Sequence, residues 1–221
     1  LTSREKEAVF AREYLKKRGI SFENAKKFHL GLAPEGWDPL ARFLLGKKVK
    51  AELLEKAGLV VPRRNQQGHY DRFRSRIIFP IFDVRGRCVA FGGRSLDESH
   101  DAKYINSPET PIYIKGSHLY GLHLSKQAIA QADQVIVVKG YMDFAIPFAA
   151  GVQQIVASLG TALTVQQIRL IRRYTRNIVL LFDADPAGQS AMIRSLDVLI
   201  EEGMYARVAK LESGEDPDSF V

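Results

Sequence analysis

The chain is poor in sulfur: its 221 residues include one cysteine, Cys88. A single thiol makes no intramolecular disulfide and no cysteine-rich zinc site. A secreted disulfide scaffold is therefore excluded, no zinc is expected, and a reducing compartment fits. Long apolar runs are missing as well. The longest, Phe144 to Val152, has nine residues, far below the roughly 20 that a membrane helix needs. No signal peptide opens the chain, so a cytoplasmic protein with no membrane partner is expected. P-loop, HExxH, GxSxG and CxxC patterns are absent, and His29, His69, His100, His118 and His123 stand in no metal-ligand spacing. The chain begins at Leu1 rather than Met and stops at Val221, just after a strand-and-turn pattern, so it reads as part of a longer protein.

Composition is otherwise ordinary, with 46% hydrophobic and 26% charged residues, enough for a sizeable core in one large or two small domains. The net charge of +7 is unevenly spread. Residues 1–126 carry 24 basic and 14 acidic side chains, and residues 127–221 carry 8 and 11. A basic half beside an acidic half suggests one part that holds a polyanion and one that bears functional carboxylates; a charge gradient without function is the plain alternative.

The Thr2-Ser3-Arg4-Glu5 spacing predicts a helix from about Ser3, with Val9, Tyr14 and Leu15 as its apolar stripe and Gly19 as its stop. Short helices follow after Ser21, over 37–45 and over 50–57. RIIFPIF (76–82) and RCVAF (87–91) read as a hairpin about the turn Asp83-Val84-Arg85-Gly86, with Pro80 marking an edge or a bulge. Residues 92–116 read as loop. From about 128 the pattern alternates: strands at 134–138, 154–157, 177–182 and 205–211, helices at 141–150, 164–174 and 187–202. That spacing predicts βαβ crossovers and a mostly parallel sheet, with a domain boundary near 124–130.

Several segments carry chemistry. Asp183-Ala184-Asp185 directly follows the buried run IVLLF. Two carboxylates at a strand's carboxyl end repel unless a cation separates them, and hard divalent ions take such oxygens; a loop aspartate beside a helix cap is the structural alternative. Asp216-Pro217-Asp218 follows the next strand and either adds ligands or forms an ordinary turn. Lys103, Tyr104, Asn106 and Lys115 combine cations, an aromatic ring and an amide, which suits single-stranded nucleic acid or nucleotide phosphates as well as an exposed polar loop. Arg72, Arg74 and Arg76 alternate, so on a strand they would share one side and call for an anion or for paired carboxylates. In FGGR, Gly92 and Gly93 permit close backbone approach, and Arg94 can reach a phosphate.

Together DRFRSRIIFPIFDVRGRCVAFGGRSL, KYINSPETPIYIKG, VVKGYMD, VASLGTALT, LLFDADPAG and GEDPDSFV resemble the bacterial replicative primases of the DnaG type, over nearly the whole chain. The DxD pattern is shared more widely, with Toprim domains. The resemblance implies an α/β protein: a mixed α+β N-terminal domain (1–127), then a Toprim domain (128–221, cut short at its C-terminal end) with a mostly parallel sheet flanked by helices. It implies synthesis of short RNA primers on single-stranded DNA from ribonucleoside triphosphates, with Mg²⁺ or Mn²⁺ held by Asp183, Asp185, Asp216 and Asp218. Asp143 would support that centre from behind. Arg18, Arg94, Lys103 and Lys115 would hold template or nucleotide, with Tyr104 and Asn106 in the same signature. A replicative helicase and a single-strand-binding protein would engage regions outside this chain, in a cytoplasmic, nucleoid-associated setting.

One position departs from the family. Where the resemblance implies a catalytic glutamate, this chain has Lys139. A −1 group becomes +1 near the DxD pair, so impaired metal binding and impaired synthesis are expected. The alternatives are a module that binds single-stranded DNA or nucleotides without catalysis and, less well supported by KYINSPET, a Toprim nuclease.

Overall fold

The computed structural model describes residues 1–63, 67–96, 102–159, 162–181 and 186–209. The chain divides into two compact units, one of residues 1–81 and 88–114, the other of 82–87 and 115–221.

The first unit contains α1 (Lys6–Lys17), α2 (Phe22–Lys27), β1 (Gly31–Ala33), α3 (Pro39–Gly46), α4 (Ala51–Lys56), β2 (Val60–Pro62), β3 (His69–Asp71), β4 (Arg76–Phe82), β5 (Cys88–Ser95) and β6 (Tyr104–Asn106). α1 starts later than the capping spacing predicts, because Ser3 Oγ accepts the Glu5 N–H at 3.1 Å, ahead of the helix. Its buried stripe is Ala8, Ala11 and Leu15, and Val9 faces solvent. Gly19, at φ 78°, stops the helix as expected. Ser21 caps α2 through the Asn24 N–H at 3.1 Å.

Strands β1, β4, β5 and β6 form a sheet in that order, with β1–β4 and β5–β6 antiparallel. β1 pairs with β4 only as far as Ile78, so Pro80 lies on a stretch with no β1 neighbour. The expected loop after Gly92 is corrected here: β5 runs on to Ser95 and pairs with β6, Gly93 opposite Ile105 and Arg94 opposite Tyr104. A Cβ on Gly93 would stand 2.7 Å from the Phe73 ring and 3.0 Å from Arg76 Cδ, so this glycine makes room inside a strand rather than breaking one.

The second unit contains a 3₁₀ turn (Lys115–Ser117), α5 (Leu122–Ala132), β7 (Val135–Val138), α6 (Tyr141–Ala149), β8 (Ile155–Ala157), α7 (Val165–Ile171), β9 (Asn177–Leu181), α8 (Pro186–Glu201) and β10 (Tyr205–Ala209). Its four strands among the described residues are all parallel, in the order β10-β9-β7-β8. Val135, Val137, Ile178, Leu180, Ile168 and Leu199 fill the core between sheet and helices. From β7 the chain goes to β8 on one side and later to β9 on the other. The carboxyl end of β7 is therefore a topological switch point, where open α/β sheets place their ligands.

Candidate nucleic-acid interface

Three arginines of the first unit line an open cavity of about 680 Å³: Arg72, Arg74 and Arg76, with Trp37, Glu35 and Ile105 among the other lining residues. Only Arg76 lies on a strand. Arg72 and Arg74 sit in the irregular link from β3 to β4, where Ser75 takes a left-handed φ of 48°. Arg72 and Arg74 therefore do not alternate with Arg76 along a strand, yet the three share one cavity. Arg72 and Arg76 both have pKa values lowered by burial; at Arg72 Tyr70 partly offsets this, and at Arg76 the charge of Arg74 adds to it. They remain cations, since guanidinium does not deprotonate in proteins. The shifts register desolvated positive charge that an anion would relieve. Arg72 Nε is buried and has no hydrogen-bond partner.

Trp37 is the exposed aromatic of this site, at 61%. The guanidinium carbon of Arg74 lies 4.7 Å from its ring centre and that of Arg63 5.9 Å, while Tyr70 meets it edge-on at 5.9 Å. Its position is set by Asp71, which is 1% exposed. The Asp71 N–H donates to the Trp37 carbonyl at 2.7 Å, and its carboxylate accepts from Leu40 N at 2.7 Å and Ala41 N at 2.9 Å. A side chain from β3 thereby caps α3, whose own Asp38 makes no capping bond. Sequence reading missed Trp37 as a binding residue and put it at the start of a helix over 37–45, whereas α3 begins at Pro39 and leaves Trp37 outside it; the available signal was that it is the chain's single tryptophan.

A second cluster joins Arg18, Arg94 and Tyr104. Arg94 is 8% exposed and donates through Nη1 to the Tyr104 hydroxyl at 2.5 Å. Its guanidinium carbon lies 5.1 Å from the Tyr104 ring centre and 5.2 Å from that of Tyr14, which Arg18 approaches at 6.0 Å. Tyr14, assigned from sequence to the apolar stripe, links these cations; its place one turn before Arg18 was the available sign. The pairing of Gly92 with Asn106 puts Asn106 on the face of Arg94 and Tyr104. Lys103 is exposed, and its carbonyl accepts from Ser95 N at 2.9 Å and Arg76 Nη1 at 3.4 Å.

In the second unit, Lys115 opens the 3₁₀ turn, which α7 pins: Thr164 Oγ1 donates to the Gly116 carbonyl and Gln167 Nε2 to the His118 carbonyl at 2.7 Å. Lys139 directly follows β7, half-buried, at the switch point. Asp143 accepts the Gly140 N–H at 2.7 Å and so fixes the turn that presents residue 139. β9 ends at Leu181, two residues before Asp183 in sequence. Asp183, Asp185, Asp216 and Asp218 lie outside the described residues. Among the described residues no group of three or more His, Cys, Asp or Glu could hold a metal, and no helix is long and apolar enough to cross a membrane.

The family model for the DNA primase catalytic core, N-terminal domain, matches residues 1–126, and a Toprim-like model matches residues 136–221. The chain belongs to the DNA primase catalytic-core family. It is 46% identical to the DNA primase of Synechococcus elongatus over 226 residues, covering 99% of this chain and 32% of that protein. It is similar to the crystal structure of a DNA primase domain from Pseudomonas aeruginosa (TM-score 0.91, 42% identity, 99% of this chain and 68% of that one). It is also similar to a DnaG primase catalytic domain bound to ssDNA (TM-score 0.89, 41% identity, 98% and 68%). The chain spans about a third of the length of the curated primases it matches. Within this family its parallel sheet is the Toprim region, and its basic cavity belongs to the N-terminal core domain.

Proposed function

We propose that this chain is the polymerising core of a primase, holding single-stranded DNA on its first unit and assembling ribonucleotides at the carboxyl end of the β7–β9 sheet. The observation that carries the reading is the cavity where Arg72, Arg74 and Arg76 meet the exposed Trp37. Guanidiniums take phosphates and an indole face takes a base, the pairing that single-strand binding requires. Arg18, Arg94, Lys103, Tyr104, Asn106 and Lys115 extend the set of template and nucleotide contacts. The relative solved with ssDNA bound supports the same ligand class.

In the reaction proposed, the 3′-hydroxyl of the primer attacks the α-phosphate of a ribonucleoside triphosphate and releases pyrophosphate. Asp183 and Asp185, with Asp216 and Asp218, supply the hard oxygen donors that Mg²⁺ or Mn²⁺ takes, and the ion would lower the charge on nucleophile and leaving group. Lys139 does not fit that donor set. An ammonium is no ligand, and opposite charges roughly 4 Å apart attract by about 4 kcal/mol at an effective dielectric near 20, so a lysine at that range of the carboxylates would compete with a cation for them.

Lys139 also favours a second reading, a core that holds DNA without extending a primer. Template-dependent ribonucleotide incorporation by this chain and by Lys139→Glu separates the two. Synthesis by the glutamate form alone identifies a disabled primase core. Synthesis by both upholds the function and removes the charge argument. DNA binding without synthesis by either form supports the binding module.

A further inference from the structure

A second cavity of the first unit, about 450 Å³, is lined by Lys6, Glu7 and Phe10 of α1 with Leu32, Leu96, Glu35 and Ser75. Glu35 and Ser75 also line the arginine cavity, so the two hollows adjoin. Their chemistry is opposite. The first sets three guanidiniums against one carboxylate; the second sets two carboxylates against one ammonium. A phosphate suits the first and is repelled by the second.

The second cavity has the parts for a base. Lys6 and Glu7 each neighbour Phe10 on α1, four and three residues before it. Phe10 is 53% exposed, an aromatic face open for stacking, and Leu32 and Leu96 add apolar wall. The Glu35 N–H donates to Glu7 Oε2 at 3.1 Å, which holds the Glu7 carboxylate in place and uses one of its roughly four acceptor sites. The volume lies within the range of small-molecule sites.

We propose that this cavity takes one template base next to the phosphates gripped in the arginine cavity, and that Glu7, with Glu35, selects guanine. The inference rests on the template-binding reading given above. A carboxylate accepts two parallel N–H bonds, and guanine is the DNA base whose pairing edge offers two adjacent N–H donors, N1–H and N2–H. Cytosine and adenine offer one amine each, and thymine's single N3–H lies between two carbonyl oxygens that a carboxylate repels. The site would thus act as a specificity determinant within the core.

The test is fluorescence anisotropy of the 221-residue chain with 5′-labelled oligonucleotides: all-thymidine, and the same length with one central guanine, hypoxanthine or cytosine. The guanine oligonucleotide is expected to bind at least about fivefold tighter than all-thymidine, the size of one good paired contact to a base. Hypoxanthine, which lacks the N2 amine, should lose most of that advantage. In Glu7→Gln, with the fold checked by circular dichroism, the guanine-to-thymidine ratio should fall close to one. Equal binding of guanine and thymidine by the native chain, equal binding of guanine and hypoxanthine, or a ratio unchanged in Glu7→Gln would each overturn the assignment. Failure to bind any of the four, or binding indifferent to Trp37→Ala, would instead overturn the template reading, and this site would fall with it.

Discussion

Trp37 holds a large indole beside two arginines, 61% exposed and so contributing little to the core. Stacking of one base on such a ring is worth about 1–3 kcal/mol. Trp37→Ala should therefore weaken single-stranded DNA binding by roughly 5- to 100-fold, and Trp37→Phe should keep most of it; equilibrium anisotropy reads both. Lys139 poses the other residue-scale question. Calorimetry with Mn²⁺ on this chain and on Lys139→Glu should show clear binding only in the glutamate form. Equal binding would mean that the aspartates of DxD and DPD suffice. These residues differ in how legible they were. Lys139 showed itself in sequence because it interrupts a resemblance. Trp37 did not, because nothing local says that Asp71, 34 positions later, will hold its carbonyl. Arg94 was read as a phosphate contact, but its partners Tyr104 and Tyr14 come from a strand and a helix that only the fold brings together.

Elements built on local chemistry were the legible ones. The Asp83–Gly86 turn, the Ser21 cap of α2, the cap that Thr164 places on α7 by accepting the Gln167 N–H, and the four described strands of the parallel sheet follow from side chains close to them in sequence. β6 and the end of β5 were missed because their stability is tertiary: three residues of β6 are held by pairing, and Gly93 is required by Phe73 and Arg76. The cap on α3 is of the same kind. Asp71→Ala removes two charge-assisted bonds from its first turn and leaves buried donors unpaired, so it should cost about 2–3 kcal/mol, visible as a lower urea midpoint for Trp37 fluorescence. The hairpin turn allows a pH prediction. Partial burial raises the Asp83 pKa, but bonds from Arg87 N at 3.0 Å, Arg87 Nε at 2.7 Å and Arg85 N at 2.9 Å prevail and hold it below the usual aspartate value. A depressed folded-state pKa means that the stabilisation is fully present above the unfolded value and is lost as pH falls through the folded one. Thermal melts of the native chain and of Asp83→Asn should then differ by a constant amount above about pH 4, and that difference should shrink as the pH falls further, the amount being small because Arg87 is largely exposed and its attraction for Asp83 is screened.

At the scale of the molecule, the charge imbalance between residues 1–126 and 127–221 finds its physical counterpart in the first unit, where arginines crowd a cavity and lose hydration. Aromatic and cationic contacts to a strand can be told apart by salt. Each phosphate neutralised contributes a slope of about −0.7 to the logarithm of the binding constant against the logarithm of salt concentration. Arg74→Ala should therefore lower the affinity for single-stranded DNA and flatten that slope by about 0.7, because one counterion fewer is released. Trp37→Ala should lower the affinity with the slope unchanged, since stacking displaces no counterion. Arg74 approaches the Trp37 ring at 4.7 Å, so the two side chains share one base-and-phosphate unit. The double variant should then lose less affinity than the two single losses combined, while its slope matches that of Arg74→Ala alone. A slope that moved with Trp37 would show that the indole only positions the guanidinium. A slope indifferent to Arg74 would place the phosphate contacts on other cations of the chain.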